Sequence, residues 1–182
     1  MTVFKQIKQY NKVLSQEQFD HAQEYFNRPM WTLMNADPQS GQMRAYWRMS
    51  LMRDQFFMED IFDVVCKTTK SKFEIIDVYA NGSTTAQSSS AHVDAHEAGI
   101  YIFMLYMNPE WFIQWGGQTI FCNKYWDTKT NSWNDGTADT VSYFPKPNSA
   151  LYFPGNIIHL ADAPSRDFLG LRTTIAYRLK KL

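Results

Sequence analysis

The sequence predicts a mainly β fold with flanking helices, closed into an antiparallel sandwich or barrel. Three observations lead there. From residue 72 onward, short runs of apolar and aromatic residues alternate with turn-forming residues. One of these runs, Gly99 to Met107, is almost wholly apolar, as expected of a strand buried on both faces. Helical spacing of apolar residues is confined to the first 70 residues.

The first helix is announced by Ser15-Gln16-Glu17-Gln18, a hydroxyl at the cap with an amide three residues on. Phe19, Ala22, Tyr25 and Phe26 then share one face, and Arg28-Pro29 ends it. Trp31 to Asn35 and Arg44 to Ser50 read as two strands around the turn-rich Ala36-Asp37-Pro38-Gln39-Ser40-Gly41. A second helix is expected from about Asp54 to Lys67, with Phe57, Ile61, Val64 and Val65 inward.

Phe73 to Ala80 is β-rich and runs into Asn81-Gly82, a turn signal. Gly82 to Ser90 is small and polar, hence a mobile loop by composition and a candidate lid. Gln118 to Cys122, Thr140 to Phe144, Ala150 to Phe153 and Leu171 to Leu179 are further strands. Asp127 to Gly136 is polar and reads as a hairpin tip or long loop. Gly116-Gly117 is a turn or bulge rather than a phosphate cradle. At 182 residues a single domain, 1–182, is expected: 1–70 as a helical support region and 71–182 as the core.

Eighteen basic residues balance eighteen acidic ones. A neutral chain offers no electrostatic case for non-specific binding to nucleic acid or to a membrane surface, though a local basic patch is compatible with it. The N-terminal residues hold no long apolar run, and no stretch approaches the ~20 apolar residues that span a bilayer. Cys66 and Cys122 lack framework spacing and read as free thiols in a reducing compartment. A soluble cytoplasmic protein is expected.

The chemistry concentrates in His92-Val93-Asp94, His159 and Arg172. Positions i and i+2 face one side of a strand, so His92 and Asp94 reach one ion if the strand ends in a turn. With four His and twelve Asp the pair also arises by chance, and alone it is weak. His159 follows the apolar run Phe153-Pro154-Gly155-Asn156-Ile157-Ile158; it is either a third ligand or an ordinary half-buried histidine. Two histidines and a carboxylate suit an iron that keeps positions open for substrates. Arg172, among apolar neighbours on a strand, requires an anion: a dicarboxylate cosubstrate or one of the chain's own carboxylates. Thr174 shares its face and either adds a hydroxyl there or simply favours the strand. His92, Asp94 and His96 form a competing local ligand set. His21 reads as solvent-facing.

The segment from Phe73 to Leu179 resembles the iron(II)- and 2-oxoglutarate-dependent dioxygenases, the prolyl 4-hydroxylase-like branch in particular. The matching pieces are Tyr79-x-Asn81-Gly82, His92-x-Asp94, Leu105-Tyr106-Met107-Asn108 with Trp111, and Gly116-Gly117-x-Thr119-x-Phe121. Pro145-Lys146-Pro147 before Ala150-Leu151-Tyr152-Phe153, then His159 and Arg172, complete them. The resemblance implies a double-stranded β-helix (jelly roll, cupin-like) with N-terminal helices packed on one sheet. It implies His92, Asp94 and His159 as Fe(II) ligands and Arg172 as partner of the distal carboxylate of 2-oxoglutarate. Tyr106 stands where a tyrosine bonds that carboxylate, and Thr174 is a further contact. O2 is the oxidant, with ascorbate as an auxiliary reductant. The Ser/Thr-rich loop before His92 and the segment Asp127–Gly136 depart from the family pattern where the main substrate is met. A peptide, peptidyl proline included, a free amino acid and another small metabolite are all compatible substrates.

Ile100, Ile102, Met104, Ile120 and Phe153 are candidate lining residues. Trp111, Trp115, Trp126 and Trp133 are candidates for an aromatic substrate face, Trp133 first among them. Three rivals stand beside this reading: a hydrolytic zinc enzyme on the same ligands, a non-catalytic metal-binding jelly roll, and an oxygenase acting on nucleic acid. The sequence sets no oligomeric state.

Overall fold

In the computed structural model, which describes residues 2–34, 45–134 and 139–182, eleven strands fall into two antiparallel sheets. They are β1 (Lys8–Asn11), β2 (Thr32–Met34), β3 (Tyr46–Ser50), β4 (Phe73–Ser83), β5 (Ile100–Tyr106) and β6 (Thr119–Asp127). β7 (Ser132–Trp133), β8 (Thr140–Tyr143), β9 (Ser149–Pro154), β10 (Ile157–Ala161) and β11 (Arg172–Lys181) follow. The larger sheet runs β1-β9-β5-β11-β4-β3-β2; the smaller is β10-β6-β7, with β8 also on β6. Among the described residues no helix is long and apolar enough to cross a membrane.

Period-2 alternation divides the larger sheet into two working faces. One face carries Val78 and Ala80, Phe103 and Leu105, and Ile175, Tyr177 and Leu179. Against it pack α1 (Gln16–Phe26), through Phe19, Ala22 and Tyr25, and the helix ending in α2 (Phe62–Thr69), through Phe57, Ile61 and Val65. Each such side chain, fully buried, contributes roughly 1.5–3 kcal/mol. The Tyr177 hydroxyl donates to the Phe57 carbonyl (2.7 Å), so its polar end is not orphaned in this core. The other face carries Ile102, Tyr106, Leu151 and Phe153, which meet Phe121 and Ile157 of the smaller sheet. Between the sheets, beyond this second core, lies the cavity described below.

The capping box is formed as expected: Ser15 Oγ accepts from the Gln18 N–H and Gln18 Oε1 from the Ser15 N–H, both at 3.1 Å. The second helix differs in its winding. Phe56–Ile61 is a π-helix that continues into α2, and the chain leaves it through Lys70 at φ 53°. β2 and β3 pair antiparallel; the predicted turn Ala36–Gly41 lies outside the described residues. β6 extends to Asp127 and pairs with β7, so the polar 127–134 stretch is a hairpin, and 135–136 lie outside the described residues.

Three expectations are corrected. Asn81-Gly82 is not a turn: β4 continues to Ser83, paired with β11 through Thr174↔Asn81 and Thr173↔Gly82. Gly82 lets the Leu171 side chain pack directly on the strand, since a Cβ there would lie 2.7 Å from Leu171 Cδ2. β1 and β10 are strands the apolar pattern does not announce. β1 is a polar edge strand held by β9, and β10 is a short one held by β6. The Ser/Thr-rich loop is tied down rather than loose. Thr85 Oγ1 donates to the Ser165 and Phe168 carbonyls, the Ser89 N–H donates to Ala161 O (2.9 Å), and the Ala161 N–H donates to Ser89 Oγ (2.7 Å).

Candidate metal centre and cosubstrate pocket

β10 delivers His159, and the segment after the tied loop delivers His92 beside it. His92 and Asp94 do not share a strand face. His92 instead forms an isolated bridge to His159, and the Gly155 carbonyl accepts from both the Asp94 N–H (2.8 Å) and the Ala95 N–H (3.0 Å). The three candidate ligands thereby converge, their donor atoms within 4.8 Å of one another. His159 is buried against the rings of Phe121 and Phe153.

Both rings are oriented by backbone. The His92 Nδ1–H donates to Ser90 O (2.8 Å) and the His159 Nδ1–H to Ile157 O (3.1 Å). A carbonyl can only accept, so the proton sits on Nδ1 and each Nε2 lone pair faces the Asp94 carboxylate, at 3.6 Å and 3.3 Å. Burial pushes the His159 ring below its usual pKa, which keeps it neutral. Burial works to raise the Asp94 carboxyl; the positive charge that His159 and His92 carry when protonated, with Arg178, outweighs it and holds it below the usual range. Once both rings are neutral, the ionised carboxylate faces two unprotonated Nε2 lone pairs and is repelled by them. A cation between them removes the repulsion, and two imidazoles with one carboxylate are donors suited to iron(II). His96 is exposed, meets the Trp126 ring edge-on (centroids 4.8 Å) and is outside this cluster, so the local His92-Asp94-His96 alternative is not formed.

Arg172 begins β11 and is buried, 3% exposed. Its Nε–H donates to Gly117 O (2.7 Å) and its Nη2 to Thr119 Oγ1 (3.2 Å), and its guanidinium lies 5.6 Å from the Tyr106 ring centre. Among the described residues it forms no ion pair with any carboxylate. Burial presses its pKa below the usual value, with Tyr106 and Asp162 pulling the other way. The Tyr106 hydroxyl donates to the same Thr119 Oγ1 (2.7 Å), and burial pushes that phenol up to about 12. The sequence marks the motif that contains Thr119 but not Thr119 itself as a site residue. It accepts two hydrogen bonds and keeps its own O–H to donate. Its signal lay in position: it opens β6 and is 1% exposed, on a strand whose next inward residue is Phe121.

Arg172 and the ligand cluster line one cavity of about 550 Å³, within the ordinary range of small-molecule sites. Thr174 and Ala176 lie along its floor; Arg178, Tyr79, Asn81 and Arg48 form the wall away from Arg172. Of the expected lining residues Ile102, Met104 and Phe153 line it, while Ile100 and Ile120 do not. Trp133 packs on Trp126 (5.1 Å), and none of the four candidate tryptophans lines the cavity. Among the described residues, four buried polar atoms have no hydrogen-bond partner: Asn81 Oδ1, Ser83 Oγ, Ser90 Oγ and Arg178 Nε. All four residues line this cavity.

By sequence, no family model and no curated protein matches the chain. Solved structures do. A prolyl hydroxylase from Trichoplax adhaerens, in complex with a hypoxia inducible factor peptide fragment, aligns over 96% of this chain and 83% of its own at 12% identity (TM-score 0.69). The viral collagen prolyl hydroxylase of Paramecium Bursaria Chlorella virus-1, a 2-oxoglutarate complex, aligns over 97% of both chains at 14% identity (TM-score 0.62). An oxidoreductase of the 2OG-Fe(II) oxygenase family from Burkholderia pseudomallei aligns over 97% of this chain and 86% of its own at 8% identity (TM-score 0.70). The chain therefore has the jelly-roll fold of the 2-oxoglutarate- and iron(II)-dependent oxygenases, with N-terminal helices packed on the larger sheet.

Proposed function

We propose that this chain is an iron(II)- and 2-oxoglutarate-dependent dioxygenase that hydroxylates an unactivated C–H of a peptidyl or small amino-acid-like substrate. 2-Oxoglutarate, O2 and substrate C–H would give succinate, CO2 and the alcohol. One observation carries this reading: a buried arginine that forms no ion pair among the described residues opens onto the same cavity as a converged His-Asp-His set. The fold shared with the viral enzyme in its 2-oxoglutarate complex supports it.

His92, Asp94 and His159 would hold the metal, and Arg172 would take the far carboxylate of the cosubstrate, with Thr119 donating beside it. Iron(II) supplies the redox chemistry that couples oxidative decarboxylation to C–H oxidation. The chain's residues position and shield. Backbone carbonyls fix both imidazoles with Nε2 toward the metal position, and Gly117 O and Thr119 hold the guanidinium fork in place. Ile102, Met104 and Phe153 give the cavity an apolar side that keeps water from the reacting centre.

A hydrolytic zinc enzyme would use the same three ligands, but it gives Arg172 no anion to meet. Succinate release is the deciding measurement. With iron(II), 2-oxoglutarate and a panel of peptides and free amino acids, the proposal expects iron-dependent succinate. Tight metal binding without 2-oxoglutarate binding or turnover would leave the hydrolytic or the non-catalytic reading.

A further inference from the structure

The wall of the cavity opposite Arg172 carries charge that the proposed cosubstrate does not use. Register places Arg48 opposite Asn81, Asn81 opposite Thr174 and Thr174 opposite Tyr106, one row across the cavity face of the larger sheet. Two residues on from Ala176, Arg178 points to the same side and lines the same cavity as Asp94. Ala176 between them is small, which leaves room above the floor.

The charges can be matched in turn. Iron(II), Asp94, Arg172 and a 2-oxoglutarate dianion sum to zero. Arg48 is neutralised by Asp77 at 2.6 Å and stacks on the Tyr79 ring at 3.9 Å. Arg178, its side chain 36% exposed, reaches Glu97 only at 4.0 Å, and among the described residues its buried Nε–H has no acceptor. A neutral substrate segment, such as the interior of a peptide, leaves that guanidinium unmatched beside the reaction centre. A carboxylate satisfies it through the Nε/Nη edge after a small side-chain rotation. Asn81 Oδ1 is an acceptor without a donor, and Ser90 Oγ is equally unpaired, so the same ligand should also bring N–H or O–H groups.

We propose that the primary substrate is a free α-amino acid whose carboxylate seats on Arg178, with Asn81 and Ser90 receiving its polar hydrogens. This rests on the dioxygenase reading above and selects within it a small anion over an internal peptide residue.

The test is binding, measured without turnover. The metal-loaded protein, with 2-oxoglutarate and without oxygen, is titrated with each of the twenty L-α-amino acids and with the amide of each. At least one amino acid should bind ten times or more tighter than its amide. Arg178→Met should erase that preference, and Arg178→Lys, which keeps charge but not the planar fork, should restore part of it. Titration of the same variants with 2-oxoglutarate reports separately on the Arg172 end. If 2-oxoglutarate binds but no amino acid does, the substrate proposal is overturned and the dioxygenase reading stands. Equal affinity of acid and amide, or an unchanged preference in Arg178→Met, overturns it too. If 2-oxoglutarate itself fails to bind, the underlying reading falls first.

Discussion

His92 and His159 hold each other by backbone. The His92 N–H donates to His159 O (2.9 Å) and the His159 N–H to His92 O (3.0 Å), so two candidate ligands 67 positions apart form a two-residue ladder. The ladder does not depend on either imidazole. The convergence of the metal position is therefore a property of the main chain.

From this, His92→Ala and His159→Ala should each abolish tight iron(II) binding while the fold persists. The half-buried His92 should cost within about 0.5 kcal/mol of stability, and His159, packed on Phe121 and Phe153, about 1–3 kcal/mol. Metal titration beside chemical denaturation checks both; full metal binding in His92→Ala would remove it from the ligand set. His96→Ala should leave metal binding unchanged.

Arg172→Met should weaken 2-oxoglutarate binding roughly 30-fold or more, since truncating one side of a buried charged pair costs ~2–5 kcal/mol. Calorimetric titration measures it directly. An unchanged dissociation constant would place the cosubstrate elsewhere.

Thr119→Val keeps shape and removes the one oxygen on which Arg172 and Tyr106 both rest. The buried phenol and one guanidinium N–H then lose their acceptor, at about 1–3 kcal/mol of stability. The variant should also bind 2-oxoglutarate more weakly. Denaturation that matches the wild type would mean that the two donors find other partners.

Gly117→Ala strikes the same point through backbone. Gly117 sits at φ +68°, and a Cβ would lie 2.9 Å from Trp111 Cζ2 and 3.1 Å from Arg172 Cδ. Strain and displacement together should cost more than about 1 kcal/mol and shift the carbonyl that accepts from Arg172 Nε. A lower melting temperature with weaker 2-oxoglutarate binding is expected.

The metal-free protein should lose stability on mild acidification. His159 has a folded pKa below its usual 6.5, so its unfolded form binds protons first; its contribution is present above pH 6.5 and is lost as pH falls through that value toward the folded one. Asp94 is lowered from 3.8, so its contribution is lost only below that pH. The melting temperature should therefore fall between about pH 7.5 and about pH 5.5, and fall less in His159→Gln. Metal affinity should decline over the same range, because the ligands must be unprotonated.

The sequence by itself determined the β-rich fold, the capped first helix and the face that Arg172 and Thr174 share on β11. These follow from local periodicity, which the chain carries residue by residue. It also marked His92, Asp94, His159 and Arg172, because polar groups set among apolar runs need a reason. Only the tertiary structure decided how they meet. The His92–His159 ladder, the Gly155 carbonyl that holds Asp94 and the Thr119 hydroxyl shared by Arg172 and Tyr106 join residues far apart in the chain. So does the closure of Gly82 over Leu171, which turned an apparent Asn-Gly turn into continuous strand. Such contacts leave no local pattern, since they depend on register between strands, and register is set by the packing of the whole sheet.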